Sequence, residues 1–179
     1  MERLYCDASF YRRVGGMAVV GPAWTVERVG FWRARWDVQI VEDIGWDGHV
    51  AYYAACRCAS CNDAEKRALA MAFLLAYDIL STRRDEKVEV LSDSLIVLNW
   101  VMNSRFMSDP ILDPMRNLWE KRSVILGKVK GHMGNRGNEL ADIWARHARL
   151  EYGEKLEKQL QRELQYQHNA YVGTWKKHY

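Results

Sequence analysis

No hydrophobic run in this 179-residue chain is long enough to cross a bilayer. The longest, Ala68 to Leu80, contains Asp78 and falls short of the roughly 20 residues a spanning helix needs. The start, Met1-Glu-Arg-Leu-Tyr5, lacks the basic segment and apolar stretch of a secretory leader, so a cytoplasmic protein with no membrane partner is expected. A strong charge of either sign is also missing. The net charge of +3 permits a polyanionic partner without demanding one. Cysteines are few: Cys6 alone, then Cys56, Cys58 and Cys61 close together. That cluster has no second nearby pair of ligands and is not a zinc-finger spacing. Packing of Cys56 and Cys58 on one strand face is the reading favoured over a structural zinc.

Hydrophobic content of 49% and charged content of 27% suit one domain with an appendage, large enough to bury a core. Charge is unevenly placed. The first 36 residues hold six Arg against three acids, whereas Asp37 to Glu65 holds six acids and only Arg57. Basic residues return from Lys121 to Arg149. Such segregation matters more to a polyanion than the total does.

Alternation predicts a strand from Arg3 to Phe10, with Leu4 and Cys6 on one face and Tyr5 and Asp7 on the other. Tyr11 to Gly16 reads as a turn, and Met17 to Val20 as the returning strand. Residues Trp24 to Trp46 mix aromatics, β-branched residues and charges, as one or two further antiparallel strands would; packing explains their aromatics better than base stacking. After a Gly45–Gly48 turn, His49 to Cys58 continues the sheet. The period then changes: a helix capped by Asn62 or Asp63 runs to about Leu80, and Lys87 to Leu91 is a short strand. Helical patterns at Leu95–Met102 and Met115–Lys121, a strand at Val124–Val129 and a helix starting near Asn138 follow. Hairpin-linked strands followed by strand–helix alternation imply a mixed sheet with helices packed on it, an α/β fold. From residue 150 the chain is charged, with Leu156, Leu160 and Leu164 every fourth residue, an amphipathic helix docked on the domain or on a partner.

Four carboxylates stand out. Asp7 lies within a strand, where an acid is disfavoured and costly to bury alone. Glu65 and Asp142 sit near helix starts, where complementing the helix dipole would explain them equally well. Asp93 closes a strand and is also placed to cap the next helix. The loop Val129-Lys-Gly-His132-Met-Gly is rich in glycine, which gives its histidine freedom to move beside the helix carrying Asn138, Glu139 and Asp142.

Asp7-Ala-Ser9 followed by Gly15-Gly16, Ala64-Glu65, Ser92-Asp93-Ser94 and Val129-Lys-Gly-His-Met-Gly…Asn138-Glu-Leu-Ala-Asp142 resemble, in order and spacing, type 1 ribonuclease H. The resemblance covers residues 3 to about 149. It implies a ribonuclease H-like fold, a five-stranded mixed sheet flanked by helices, as a catalytic domain over 1–149 with a helical extension over 150–179. It further implies a two-metal endonuclease that cuts the RNA strand of RNA–DNA hybrids and leaves 5′-phosphates, using Mg²⁺ with Mn²⁺ as a substitute. Asp7, Glu65, Asp93 and Asp142 would be the metal ligands, with His132 assisting proton movement or product departure and Glu139 tuning the metal region. Ser9, Arg12, Arg13, Asn62, Ser94 and Asn138 would contact substrate. Cys61 and Leu95 depart from the family, where Asn and Gln commonly stand, and no long basic insertion is present. A nuclease of the same fold acting on duplex RNA or branched DNA, and a noncatalytic nucleic-acid-binding module, are the alternatives.

Overall fold

The computed structural model describes residues 1–23, 36–82, 87–102, 123–130 and 134–177. The predictions for residues 24–35, for the helix at 115–121 and for His132 lie outside these residues. Six strands form one sheet: β1 (Glu2–Tyr11), β2 (Val14–Pro22), β3 (Gln39–Val41), β4 (His49–Arg57), β5 (Val88–Ser92) and β6 (Val124–Lys128). Their order is β3-β4-β2-β1-β5-β6, antiparallel from β3 to β1 and parallel from β1 to β6. Five strands were expected. The count is raised by β3, a three-residue edge strand too short for a period-two pattern to declare itself.

Alternation along β1 divides the core as its sequence requires. Leu4 and Cys6 join Met17, Val19, Tyr52 and the apolar face of α1 (Cys61–Thr82). Tyr5 turns to the other face and packs with Val20, Ala51, Leu91 and Ala141 of α3 (Arg136–Lys177). Trp36 and Val38 are buried in the first of these clusters, so this part of the Trp24–Trp46 region serves packing. A shorter helix, α2 (Leu95–Met102), follows β5.

The β1–β2 turn is tighter than predicted. Only Arg12 and Arg13 form it, both with positive φ (48° and 65°), in the manner of a two-residue hairpin. Gly15 and Gly16 therefore belong to β2, and their role is close approach rather than turning. A Cβ on Gly16 would lie 1.9 Å from the Ala145 carbonyl oxygen and 2.6 Å from the Arg149 nitrogen, because α3 rests its backbone directly on β2. Gly16→Ala must push helix from sheet. The expected cost is about 3 kcal/mol or more, read as a lowered urea midpoint; an unchanged midpoint would show that the two layers are not in contact.

The last helix does not stop at the end of the domain. It runs unbroken for 42 residues, through Gly153, so the segment from 150 onward continues α3 rather than forming a separate element. Leu156 is half-buried, but beyond it the described side chains are almost all exposed, Leu160 at 55% and Leu164 at 56%, so these two leucines do not dock on the domain. Pairs one turn apart, Lys155–Glu151 and Lys158–Glu154, line its surface. Deleting residues 161–179 is accordingly expected to shift the melting temperature by no more than about 2 °C, since the described side chains from 161 to 173 bury little. A larger fall in calorimetry would mean that the tail packs on the domain. No helix among the described residues is long and apolar enough to cross a membrane.

Candidate active site

Parallel pairing of β1 and β5 sets Tyr5 opposite Leu91, so the two strands deliver Asp7 and Asp93 to the same end of the sheet. Asp7 is only 5% exposed, and its Oδ1 accepts the Ala8 N–H at 2.9 Å. Asp93 follows the last residue of β5. It does not cap α2: Ser94 does, its Oγ accepting the Val97 N–H at 3.5 Å. The Asp93 carboxylate is thus left for another use.

Glu65 is freed in the same way. The cap of α1 is Ser60, not Asn62 or Asp63: its Oγ accepts the Asp63 N–H at 3.1 Å, while Asp63 Oδ2 accepts the Ala59 N–H at 2.8 Å. Asp63 thus reaches back past the cap to the residue before it, a variant of the capping box. Arg67 holds the other oxygen of Asp63 at 3.2 Å. Asp63 serves the helix end, and Glu65 turns inward. Carboxylate oxygens of Asp7, Glu65 and Asp93 all lie within 4.8 Å of one another.

The N-terminus of α3 supplies the facing wall. Its cap is Asn135, whose Oδ1 accepts the Asn138 N–H at 3.0 Å and whose carbonyl accepts the Glu139 N–H at 2.9 Å. The helix expected to start near Asn138 begins earlier, at Arg136, and Asn138 sits within its first turn. Gly137 seats this turn against Tyr5, since a Cβ there would meet the Tyr5 ring at 2.3 Å. The Arg136 guanidinium donates to the Gly45 carbonyl and ties the same turn to the β3–β4 loop. So anchored, Asn138, Glu139 and Asp142 line one open cleft of about 460 Å³ with Asp7, Glu65 and Asp93, and Ile143 completes its edge. Asn138 is 4% exposed, and its buried Oδ1 has no partner among the described residues. Asp142 lies outside the 4.8 Å set and is held at 3.1 Å by Arg146.

Crowding of acids shapes the electrostatics. Burial pushes Asp7 up to about 7, reinforced by the charges of Asp93 and Asp142 and opposed by the Ala8 amide. Burial likewise pushes Glu65 up to about 9, with Asp7 and Asp93 adding to it. Acids that hold protons this strongly at neutral pH are short of cation. The donors are hard oxygens, which suit a divalent ion of the magnesium class rather than a thiophilic one. The residues present therefore fit such an ion.

The predicted substrate contacts are less gathered. Ser9 Oγ accepts Arg149 Nε at 2.8 Å, and Arg12 and Arg13 form the hairpin turn beyond it. Asn62 is exposed on the first turn of α1, and Ser94 is engaged as a cap. Two anchors of the site went unnoticed in the sequence, Ser60 and Asn135. The Ser60-x-x-Asp63 spacing was the available signal for the first.

A mixed sheet carrying carboxylates from two neighbouring parallel strands and two helix starts defines a ribonuclease H-like protein. The RNase H family model matches residues 2–149, and the chain belongs to that family. No curated protein matches it. Among solved structures it is similar to the foamy viral protease–reverse transcriptase in complex with dsDNA, at 18% identity and a TM-score of 0.56 over 83% of this chain and 93% of that one. RNase H1 from the halophilic archaeon Halobacterium salinarum NRC-1 is 22% identical, with a TM-score of 0.48 over 82% of this chain and 96% of that one.

Proposed function

We propose that this protein is a divalent-cation-dependent endonuclease that hydrolyses the RNA strand of RNA–DNA hybrids, leaving 5′-phosphates. The observation that carries the reading is the convergence of Asp7, Glu65 and Asp93 within 4.8 Å at one end of the sheet. Membership of the RNase H family supports it. Asp7, the most deeply placed of the acids, would be the ligand shared by two Mg²⁺ ions; Mn²⁺ would substitute. Glu65 and Asp93 would complete the position on the side of the attacking water, and Asp142 the position beside the leaving oxygen. When bound, two such ions neutralise charge on both the entering and the leaving oxygen of an in-line displacement.

The chain's own groups do the rest. Glu65 and Asp7 release their protons as the cations enter, so the site becomes competent only when charge is balanced. Asn138 Oδ1, buried and without a partner among the described residues, accepts a hydrogen bond from a substrate hydroxyl; a ribose 2′-hydroxyl is the donor that distinguishes RNA from DNA. Arg12 and Arg13 face the phosphate backbone from the hairpin turn. His132 moves a proton toward the leaving group or eases product departure, so His132→Ala should slow turnover without eliminating it.

Cleavage of labelled RNA–DNA hybrid, duplex RNA and duplex DNA, each with Mg²⁺ and with EDTA, tests the proposal. Cutting confined to the RNA of the hybrid and abolished by EDTA is expected. Equal rates on all three would sink hybrid preference, and cleavage in EDTA would sink the metal assignment.

A further inference from the structure

Two thiols lie side by side where β4 ends. Cys56 Sγ and Cys58 Sγ are 3.7 Å apart; Cys58 is buried and Cys56 half-buried. The space for them is made by Gly15, which pairs with Cys56 across the β2–β4 ladder. A Cβ at Gly15 would come within 2.4 Å of Cys58 Sγ and 3.0 Å of the Ala64 Cβ. Residues two apart in an extended chain have Cα atoms about 6.6 Å apart, inside the range a disulfide spans. A metal is the poorer occupant: among the described residues, the one group of three or more potential ligands is the Asp7, Glu65 and Asp93 cluster.

We infer that Cys56 and Cys58 are a peroxide-responsive dithiol that closes to an intramolecular disulfide and thereby loosens the start of α1. Their chemistry is already divided. The hydrogen bond with Cys58, helped by the Arg67 guanidinium, pulls the Cys56 thiol down to about 7, while that bond and burial push Cys58 well up. A half-exposed thiolate beside a second thiol is the arrangement of redox-sensing cysteines. The Cys56 thiolate attacks one oxygen of hydrogen peroxide; the O–O bond breaks, hydroxide leaves and takes up a proton as water, and sulfur becomes a sulfenic acid. Cys58 sulfur then attacks the Cys56 sulfur, the S–O bond breaks, and the Cys58 proton departs with the hydroxyl as water. Two thiols and one peroxide yield one disulfide and two waters.

Closure draws the sulfurs from 3.7 Å to a bond of about 2.05 Å. Cys58 then pulls on Ala59 and Ser60, the residues whose hydrogen bonds with Asp63 cap α1, and Arg67 links Asp63 to the thiol pair. Glu65 lies two residues beyond Asp63, so the disturbance reaches the carboxylate cluster.

Mass spectrometry of the whole chain after brief hydrogen peroxide treatment tests this. Trypsin cuts after Arg57, between the two cysteines, so a Cys56–Cys58 disulfide leaves two peptides joined, two hydrogens lighter than their sum and separable by dithiothreitol. That joined pair is expected in the wild type. Cys58→Ala should instead yield a Cys56 sulfenic acid captured by dimedone, and Cys56→Ser should yield neither product. The oxidised wild type should also melt at a lower temperature than the reduced protein, and the Cys56→Ser melting temperature should not respond to peroxide. Absence of the joined peptides, or their persistence in Cys56→Ser, overturns the dithiol. Equal melting of the oxidised and reduced wild type overturns its action on α1. None of these measurements reads nuclease activity, so their failure is distinct from failure of the proposed function.

Discussion

Replacing Asp7 by Asn is expected to abolish cleavage while raising the melting temperature of the metal-free protein. The two effects share one cause. Asp7 is 5% exposed, lies beside Glu65 and Asp93, and is pushed up to about 7 by burial and by the charges of Asp93 and Asp142. In the absence of cations its charge is a liability that an amide removes, and the amide oxygen can still accept the Ala8 N–H. A gain on the order of 3–6 °C is expected in EDTA at pH 8 for a chain of this size. If Asp7 is the shared ligand proposed above, its loss removes several kcal/mol of transition-state stabilisation, about a thousandfold or more in kcat. Calorimetry and a hybrid-cleavage assay on the same preparation decide it. Wild-type turnover would reject the metal assignment, and a lowered melting temperature in EDTA would reject the electrostatic account.

The second large effect is on pH. In the unfolded chain Asp7 and Glu65 titrate near 4, whereas the fold holds their protons to about 7 and about 9. The native state thus binds more protons than the unfolded state between these limits, and stability must fall as pH rises through that window. Without metal the protein should be most stable near pH 4–5 and lose on the order of a few kcal/mol by pH 9. Adding Mg²⁺ should do little at pH 5 and recover much of the loss at pH 8–9, where the acids are free to bind it. Urea titrations across pH with EDTA or with Mg²⁺ measure this. Metal-free stability that is flat or rises with pH would contradict the crowded-acid description.

Much of the site was legible because its acids violate local preference. Asp7 has no helix end to serve, and its strand alternation placed it correctly on the face opposite Leu4 and Cys6. Glu65, Asp93 and Asp142 were ambiguous alone, each being able to cap or to complement a dipole. The ambiguity was resolved by neighbours: Ser60, Ser94 and Asn135 do the capping. Local pattern misassigned two of these caps because several Ser, Asn and Asp residues stand together at each helix start, and only hydrogen-bond direction separates them. Gly15 and Gly16 were read as a turn for a related reason. Glycine marks both turning and close approach, and the thiol and helix that approach them come from 43 to 133 residues further along the chain. The edge strand β3 was hidden by its brevity. The unbroken passage of α3 through Gly153 was also hidden, since the mean cost of a helical glycine, about 1 kcal/mol, is small against 42 residues of helix.

That passage sets a geometry for the whole molecule. Asp142, on the first turns of α3, and Lys177, at its far end, belong to a single rod, so at 1.5 Å per residue they stand about 52 Å apart. The rod is fixed at its base by Gly16 and Gly137, where no side chain separates helix from sheet. Its far end is therefore a pointer whose direction is set by the cleft's own supporting contacts. A small angular change at Asn138 or Asp142 is magnified into a displacement of several ångströms at Tyr171. A pair of spectroscopic labels, one on the domain and one near residue 171, would read the posture of the carboxylate cleft from a place that touches none of it.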